Sequence, residues 1–239
     1  MVYKPKVGFF SLSSCEGCMV QILNLEDDLL KILGSLDVVA SRILGIKDRG
    51  DKLDVSIVEG AVMSDDERKE LLEIRERSRI LVALGDCACN GGRFIVKDFA
   101  FKDIDIKLPR GQEKFVSDPL DKYVKVDYYV YGCPIDQQEA VELFKNILLE
   151  KEHKAKPYSV CSECILRENA CFLDKGIACL GPITRGGCKA ICPTVGRGCI
   201  GCRGLAEDAN IRSLIEIFEE RGIEVPDYLH DMLKEVSDK

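Results

Sequence analysis

The 239-residue chain has no run of eighteen apolar residues, so no membrane-spanning helix is expected. Its N-terminus reads Met-Val-Tyr-Lys-Pro-Lys before one strand-length apolar run. Neither a signal-peptide h-region nor a twin-arginine stretch is present, and export is not expected. Positive charge is also short. The 34 Lys and Arg stand against 41 Asp and Glu, a net −7, which argues against the basic face of a nucleic-acid binder. Asn and Gln are scarce while Lys and Glu are plentiful, a balance that resembles heat-adapted proteins. A hydrophobic share of 46% is ordinary and promises a buried core, with room for one large domain or a medium one plus a small one.

What the chain has in excess is cysteine, thirteen in all. The number is odd, and a secreted disulfide scaffold would be shorter and would follow a signal peptide. In a reducing cytoplasm, clustered cysteines read as metal ligands.

Their placement follows the pattern of the elements. Residues 7–12 read as a buried strand ending in a loop at Cys15, and apolar residues then recur at helical spacing from Glu16 to Leu33, with Gly34 as the stop. A second strand is expected over 53–58. Ser64 and Glu67 make a capping box for a helix to about Ser78. A third strand, 80–84, leads to Gly85-Asp86-Cys87, and a fourth, 126–131, to Gly132-Cys133-Pro134. Asp136 and Glu139 open a helix to about Lys151. Alternating strands and helices imply an α/β domain with a mostly parallel sheet over 1–154. Ligands of such sheets sit at the carboxyl ends of the strands, which is where Cys15, Cys87 and Cys133 fall. With Cys18 they make one set of four. A thioredoxin-like redox pair at Cys15 and Cys18 would leave the downstream cysteines unexplained. Cys89 reads as a buried free thiol.

From Ala155 to the end, a small loop-rich domain is expected. Residues 161–202 hold eight cysteines, many glycines and little periodicity, so this segment is expected to fold around metal. The spacing is Cys161-x2-Cys164-x6-Cys171-x7-Cys179, then Cys188-x3-Cys192, then Cys199-x2-Cys202, two sets of four. Thiolates suit iron–sulfur clusters and zinc alike, so the count alone leaves the metal open between them. An amphipathic helix over about 207–221, stopped by Gly222, and a polar tail from Pro226 complete the chain.

Several motifs occur in order: Cys15-Glu-Gly-Cys18, Val58-Glu59-Gly60, Gly85-Asp-Cys87-Ala-Cys-Asn-Gly91-Gly92, Gly132-Cys133-Pro134, Cys179-Leu-Gly-Pro182 and Cys199-Ile-Gly-Cys202. With them the sequence resembles the small subunit of nickel–iron hydrogenases over nearly its whole length, most closely the cytoplasmic archaeal sulfhydrogenase type. The first domain also resembles the related cluster-bearing subunit of respiratory complex I. The resemblance implies a flavodoxin-like first domain without flavin and three [4Fe–4S] clusters. By that mapping the proximal cluster falls on Cys15, Cys18, Cys87 and Cys133. The distal one falls on Cys161, Cys164, Cys171 and Cys179, all cysteine where many members use a histidine at the position of Cys161. The medial one falls on Cys188, Cys192, Cys199 and Cys202, with Cys192 supplying a fourth ligand that many members lack.

The implied partners are a nickel–iron large subunit, which holds the catalytic site, and iron–sulfur and flavin subunits serving NADP(H). Neither nucleic acid nor a membrane is an expected partner. The nucleotide is expected on those other subunits and not on this chain. Glu16, where threonine is common, and Glu59 read either as proton carriers near the proximal cluster or as structural carboxylates. His153 and His230 are expected at the surface. The long mixed segment 93–125 suits a partner-contact loop.

Overall fold

Four apolar segments were expected as strands, and all four form, joined by a fifth. The computed structural model describes residues 3–92, 117–226 and 229–230. Most of the expected contact loop, residues 93–116, and the tail from 231 lie outside them. The chain divides into two compact units, Met1–Ala155 and Lys156–Lys239.

In the first unit the order is β1 (Lys6–Ser11), α1 (Gly17–Leu23), α2 (Asp27–Ser35), β2 (Asp37–Ser41), β3 (Leu53–Glu59), α3 (Asp65–Glu76), β4 (Ser78–Leu84), α4 (Gly85–Asn90), β5 (Tyr128–Val130) and α5 (Gln137–Leu148). The strands form one five-stranded sheet in the order β2-β1-β3-β4-β5, every pair parallel. That is the flavodoxin-like order, whose ligand crevice opens between β1 and β3 at their carboxyl ends. Successive strand residues face opposite sides. Phe9, Ile57, Val82 and Leu84 pack with Met19, Ile22, Leu143 and Phe144 on one face. Phe10, Val58, Leu81 and Ala83 pack with Leu71 and Ile74 on the other. Both faces are covered, which is why these strands read as continuous apolar runs instead of alternating ones.

Three details differ from the sequence reading. The helix expected from Glu16 to Leu33 is two helices, broken at Asn24–Glu26, with Glu26 at positive φ (51°) and Gly34 inside α2. Leu25 and Leu29 pack on the same core as Ile22, so the apolar period runs through the break and conceals it. The Gln137 amide of α5 donates to the carbonyls of Gln21 and Asn24 (3.3 and 3.2 Å), satisfying the end of α1 from a distant part of the chain. Strand β2 was not expected; it is a five-residue edge strand whose pairing with β1 shifts register between Val7 and Gly8. Strand β5 is also shorter than its apolar run. The Ser64 cap forms as read, its hydroxyl accepting from the Glu67 N–H at 3.3 Å.

In the second unit the helices are α6 (Val160–Leu166), α7 (Ile191–Thr194) and α8 (Ile211–Glu220). Asn210 caps α8 by accepting from the Ser213 N–H at 2.9 Å, so the helix starts later than its periodicity suggested. Its buried face is Ile211, Leu214, Ile215 and Phe218, and Leu180 and Ile183 are also buried in this unit. No helix among the described residues is long and apolar enough to cross a membrane.

Candidate metal centres

The first set of cysteines lies at the carboxyl edge of the sheet. Cys15 is in the loop after β1, Cys18 is the second residue of α1, Cys87 is in α4 directly after β4, and Cys133 follows β5. Thiols from the ends of β1, β4 and β5 thus come near enough at this edge to act on one another's charge. Cys87 is pushed up to about 12, first by burial, then by the neighbouring charges of Asp86, Cys133 and Cys15. Burial pushes Cys133 up to about 11, with Asp86 and Cys15 adding to it. Cys18 is pushed up most by burial, then by the Glu59 carboxylate.

Two carboxylates are buried here. Glu59, at the end of β3, accepts from the backbone N–H groups of Cys18 (3.2 Å) and Met19 (3.0 Å). It therefore caps α1 across the crevice and fixes the Cys15–Cys18 turn. Burial still raises its carboxyl above the ordinary value. Asp86 accepts from the Asn90 amide at 2.7 Å, its other oxygen has no hydrogen-bond partner among the described residues, and burial pushes it up to about 7. Glu16 instead faces Arg42 at 2.5 Å, and that guanidinium holds its carboxyl below the usual range. Cys89 is a core thiol, donating to the carbonyls of Ala83 (3.4 Å) and Val130 (3.5 Å).

In the second unit Cys161 and Cys164 lie on α6. Burial pushes Cys161 up to about 11, and Cys179, Cys164 and Cys171 push it further, so these four share one field. Cys199 is raised by burial, with Cys179 and Cys202 beside it. The Cys199 N–H donates to Cys179 Sγ at 3.2 Å and the Leu180 N–H to the Cys199 carbonyl at 2.9 Å, so the two cysteine sets of this unit adjoin there. Charge acts on Cys188 chiefly through Glu163 and Arg203, and Cys192 is half-buried on α7.

The donors are soft thiolates set out in fours along the chain, the donor type and number that an iron–sulfur group takes. Burial raises the thiols of Cys18, Cys87, Cys161 and Cys199, and a bound metal is a positive centre that opposes that rise.

His153 is half-buried against Asn146 of α5 (3.4 Å), where a surface position was expected; His230 is exposed. Sequence reasoning missed Glu163 and Arg203, because a Glu between two cysteines and an Arg after a third read as solvated. It also passed over Gly196-Arg-Gly198-Cys-Ile-Gly201, which has the glycine spacing of a dinucleotide loop. Among the described residues the run follows α7 and no strand leads into it, so it lacks the strand–loop–helix setting of a phosphate-binding turn.

Residues 15–147 match the family model described as NADH ubiquinone oxidoreductase, 20 Kd subunit. Sulfhydrogenase 2 subunit delta of Pyrococcus furiosus is 36% identical, over 90% of this chain and 92% of its own. A vhu F420-non-reducing hydrogenase subunit of Methanocaldococcus jannaschii is 30% identical, over 93% of this chain and 91% of its own. Among solved structures, the actinobacterial-type NiFe-hydrogenase from Ralstonia eutropha H16 superposes with a TM-score of 0.62 at 16% identity, covering 94% of each chain, a likeness of fold.

Proposed function

Because the chain belongs to the family of the NADH ubiquinone oxidoreductase 20 Kd subunit, and is a nickel–iron hydrogenase small subunit of the sulfhydrogenase delta type, we propose that it relays electrons in the cytoplasm between the nickel–iron site of a large subunit and iron–sulfur or flavin subunits serving NADP(H), with three [4Fe–4S] clusters as its cofactors. An iron–sulfur cluster, when bound, takes up and releases single electrons.

The observation that carries the reading is the gathering of Cys15, Cys18, Cys87 and Cys133 at the carboxyl edge of the sheet, with eight further cysteines in a loop-rich unit. Cys15, Cys18, Cys87 and Cys133 hold the proximal cluster, and Glu59 fixes the turn that presents the first two. Cys161, Cys164, Cys171 and Cys179 hold the distal cluster. Cys188, Cys192, Cys199 and Cys202 hold the medial one. The Cys199 N–H on Cys179 Sγ stabilises the negative charge on that sulfur and joins the two ligand sets through one hydrogen bond. Cys18, Cys179 and Cys199 are buried, so hydrogen bonds to their sulfurs act in a low dielectric.

The test is anaerobic purification with iron, zinc and acid-labile sulfide measured per chain, and EPR of the reduced protein. About twelve iron atoms and twelve sulfides are expected for three [4Fe–4S] clusters. About eleven iron atoms, with a [3Fe–4S] signal on oxidation, would remove Cys192 from the ligands. Zinc without sulfide would overturn the reading.

A further inference from the structure

Among the described residues Arg203 is the largest side chain to be wholly buried, at 1% exposure. Arg is almost never buried without a reason, since desolvating its charge is costly and an apolar side chain of similar size would pack as well. It follows Cys202 directly. Its Nε donates to the Gly186 carbonyl at 2.8 Å. Its guanidinium lies so close on the loop that a Cβ at Gly187 would stand 2.5 Å from Nη2. The loop it covers carries Cys188.

Glu163, on α6 between Cys161 and Cys164, grips the same loop. Its Oε1 accepts from the Gly187 N–H at 2.8 Å and its Oε2 from the Ala190 N–H at 3.3 Å, with Cys188 Sγ 3.9 Å from Oε2. Lys189 and Ala190 are both left-handed (φ 57° and 48°), a conformation that non-glycine residues resist, and the bond from Ala190 to Glu163 holds it. One anion and one cation thus act on a single ligand loop.

We propose that Glu163 and Arg203 are positioning residues that clamp the Gly186–Ala190 loop and set the reduction potential of the cluster bound through Cys188, with opposite signs. The inference rests on the reading that Cys188, Cys199 and Cys202 hold an iron–sulfur cluster. Reduction adds negative charge to the cluster. A nearby guanidinium stabilises the reduced form and raises the potential, and a nearby carboxylate does the reverse; burial enlarges both effects. Because Glu163 stands on the helix that carries Cys161 and Cys164, its charge and its bonds tie the geometry of one cysteine set to the potential of the other.

The test is an EPR-monitored redox titration of the anaerobically purified hydrogenase complex, wild type beside Arg203→Met, Arg203→Lys and Glu163→Gln. Arg203→Met is expected to make reduction of one cluster about tenfold less favourable, a shift of about −59 mV for one electron. Glu163→Gln, which keeps the shape and an acceptor oxygen, is expected to shift the same cluster about tenfold the other way. Arg203→Lys, keeping the charge, should stay within about threefold of wild type, and the other clusters should move less. If Arg203→Met loses the cluster outright, the sign of the Glu163→Gln shift decides: positive supports the proposal, zero or negative overturns it. Shifts of the same sign in the two charge-removing variants overturn it as well, since loosened packing would act that way. A wild-type protein with only about four iron atoms per chain would overturn the cluster reading itself, before any variant is titrated.

Discussion

A methyl group added at Gly85 would run into the sulfur of Cys18, and its φ of +83° already disfavours any L side chain. The residue sits where β4 turns into α4, two positions before Cys87. The next amide, that of Asp86, donates to the Gly132 carbonyl at 2.8 Å and so ties the turn to the loop holding Cys133. Glycine is therefore what allows three strand-end thiols to stand together. Gly85→Ala is expected to cost about 1–2 kcal/mol through the left-handed backbone alone. It should also displace Cys18, so the purified protein should hold about eight iron atoms per chain instead of about twelve, with its far-ultraviolet circular dichroism unchanged. Unchanged iron would mean that Cys18 is not bound at this edge. That Cys15, Cys87 and Cys133 follow strand ends was legible in the sequence, because the apolar runs before them mark the strands. The residues that hold them were not. Glu59 had a motif around it, but that it caps α1 depends on β3 lying beside β1. Arg203 had no signal at all, because nothing local distinguishes a buried arginine from a solvated one.

At the scale of elements, strand positions were legible where both faces are buried and apolar runs are unbroken, as in β1, β3 and β4. Where pairing is short the signal fails: β2 is an edge strand, and in β5 only Tyr128–Val130 of the longer apolar run pairs. The α1–α2 break was hidden because Leu25 keeps the period of the helices it separates. A different side chain secures the β4–β5 edge. Asp127 accepts from the Leu81 N–H (2.9 Å) and pairs with Arg75 at the end of α3 (2.7 Å) and with Lys125 (3.5 Å). Burial opposes its charge, but the Leu81 N–H and then Arg75 outweigh that and hold the carboxyl below its ordinary value. A depressed carboxyl binds fewer protons folded than unfolded, so it stabilises the fold above its unfolded pKa of about 3.9 and ceases to as pH falls through the lower folded value. Asp127→Asn should therefore lower stability by about 1–2 kcal/mol at neutral pH, and the difference should close below pH ~3.9. Urea unfolding at a series of pH values measures it; a deficit that persisted in acid would assign the effect to shape and not to charge.

For the whole molecule, the two units answer differently to the question of what replaces lost chain entropy. The first buries both faces of a five-stranded sheet. The second buries the apolar face of α8 and a few residues from short turns, while Ile165, Leu166, Ile191 and Val195 of its cysteine segments stay exposed. The physical expectation is that metal supplies the difference there, because a site that exists only when folded turns its binding free energy into folding free energy. Stripping the iron from the full chain with chelator and oxidant, then digesting briefly, should expose residues 161–204 first. Cuts there should become faster by on the order of a hundredfold, the opening that loss of about 3 kcal/mol of local stability allows. Strands β1, β3 and β4 should stay protected, and mass spectrometry of the fragments would locate each cut. If the stripped second unit resisted as well as the first, its buried Leu180, Ile183 and α8 face would be sufficient by themselves. The cysteine loops would then be a preformed cradle, and cluster loading would be binding to a folded site instead of the last step of folding.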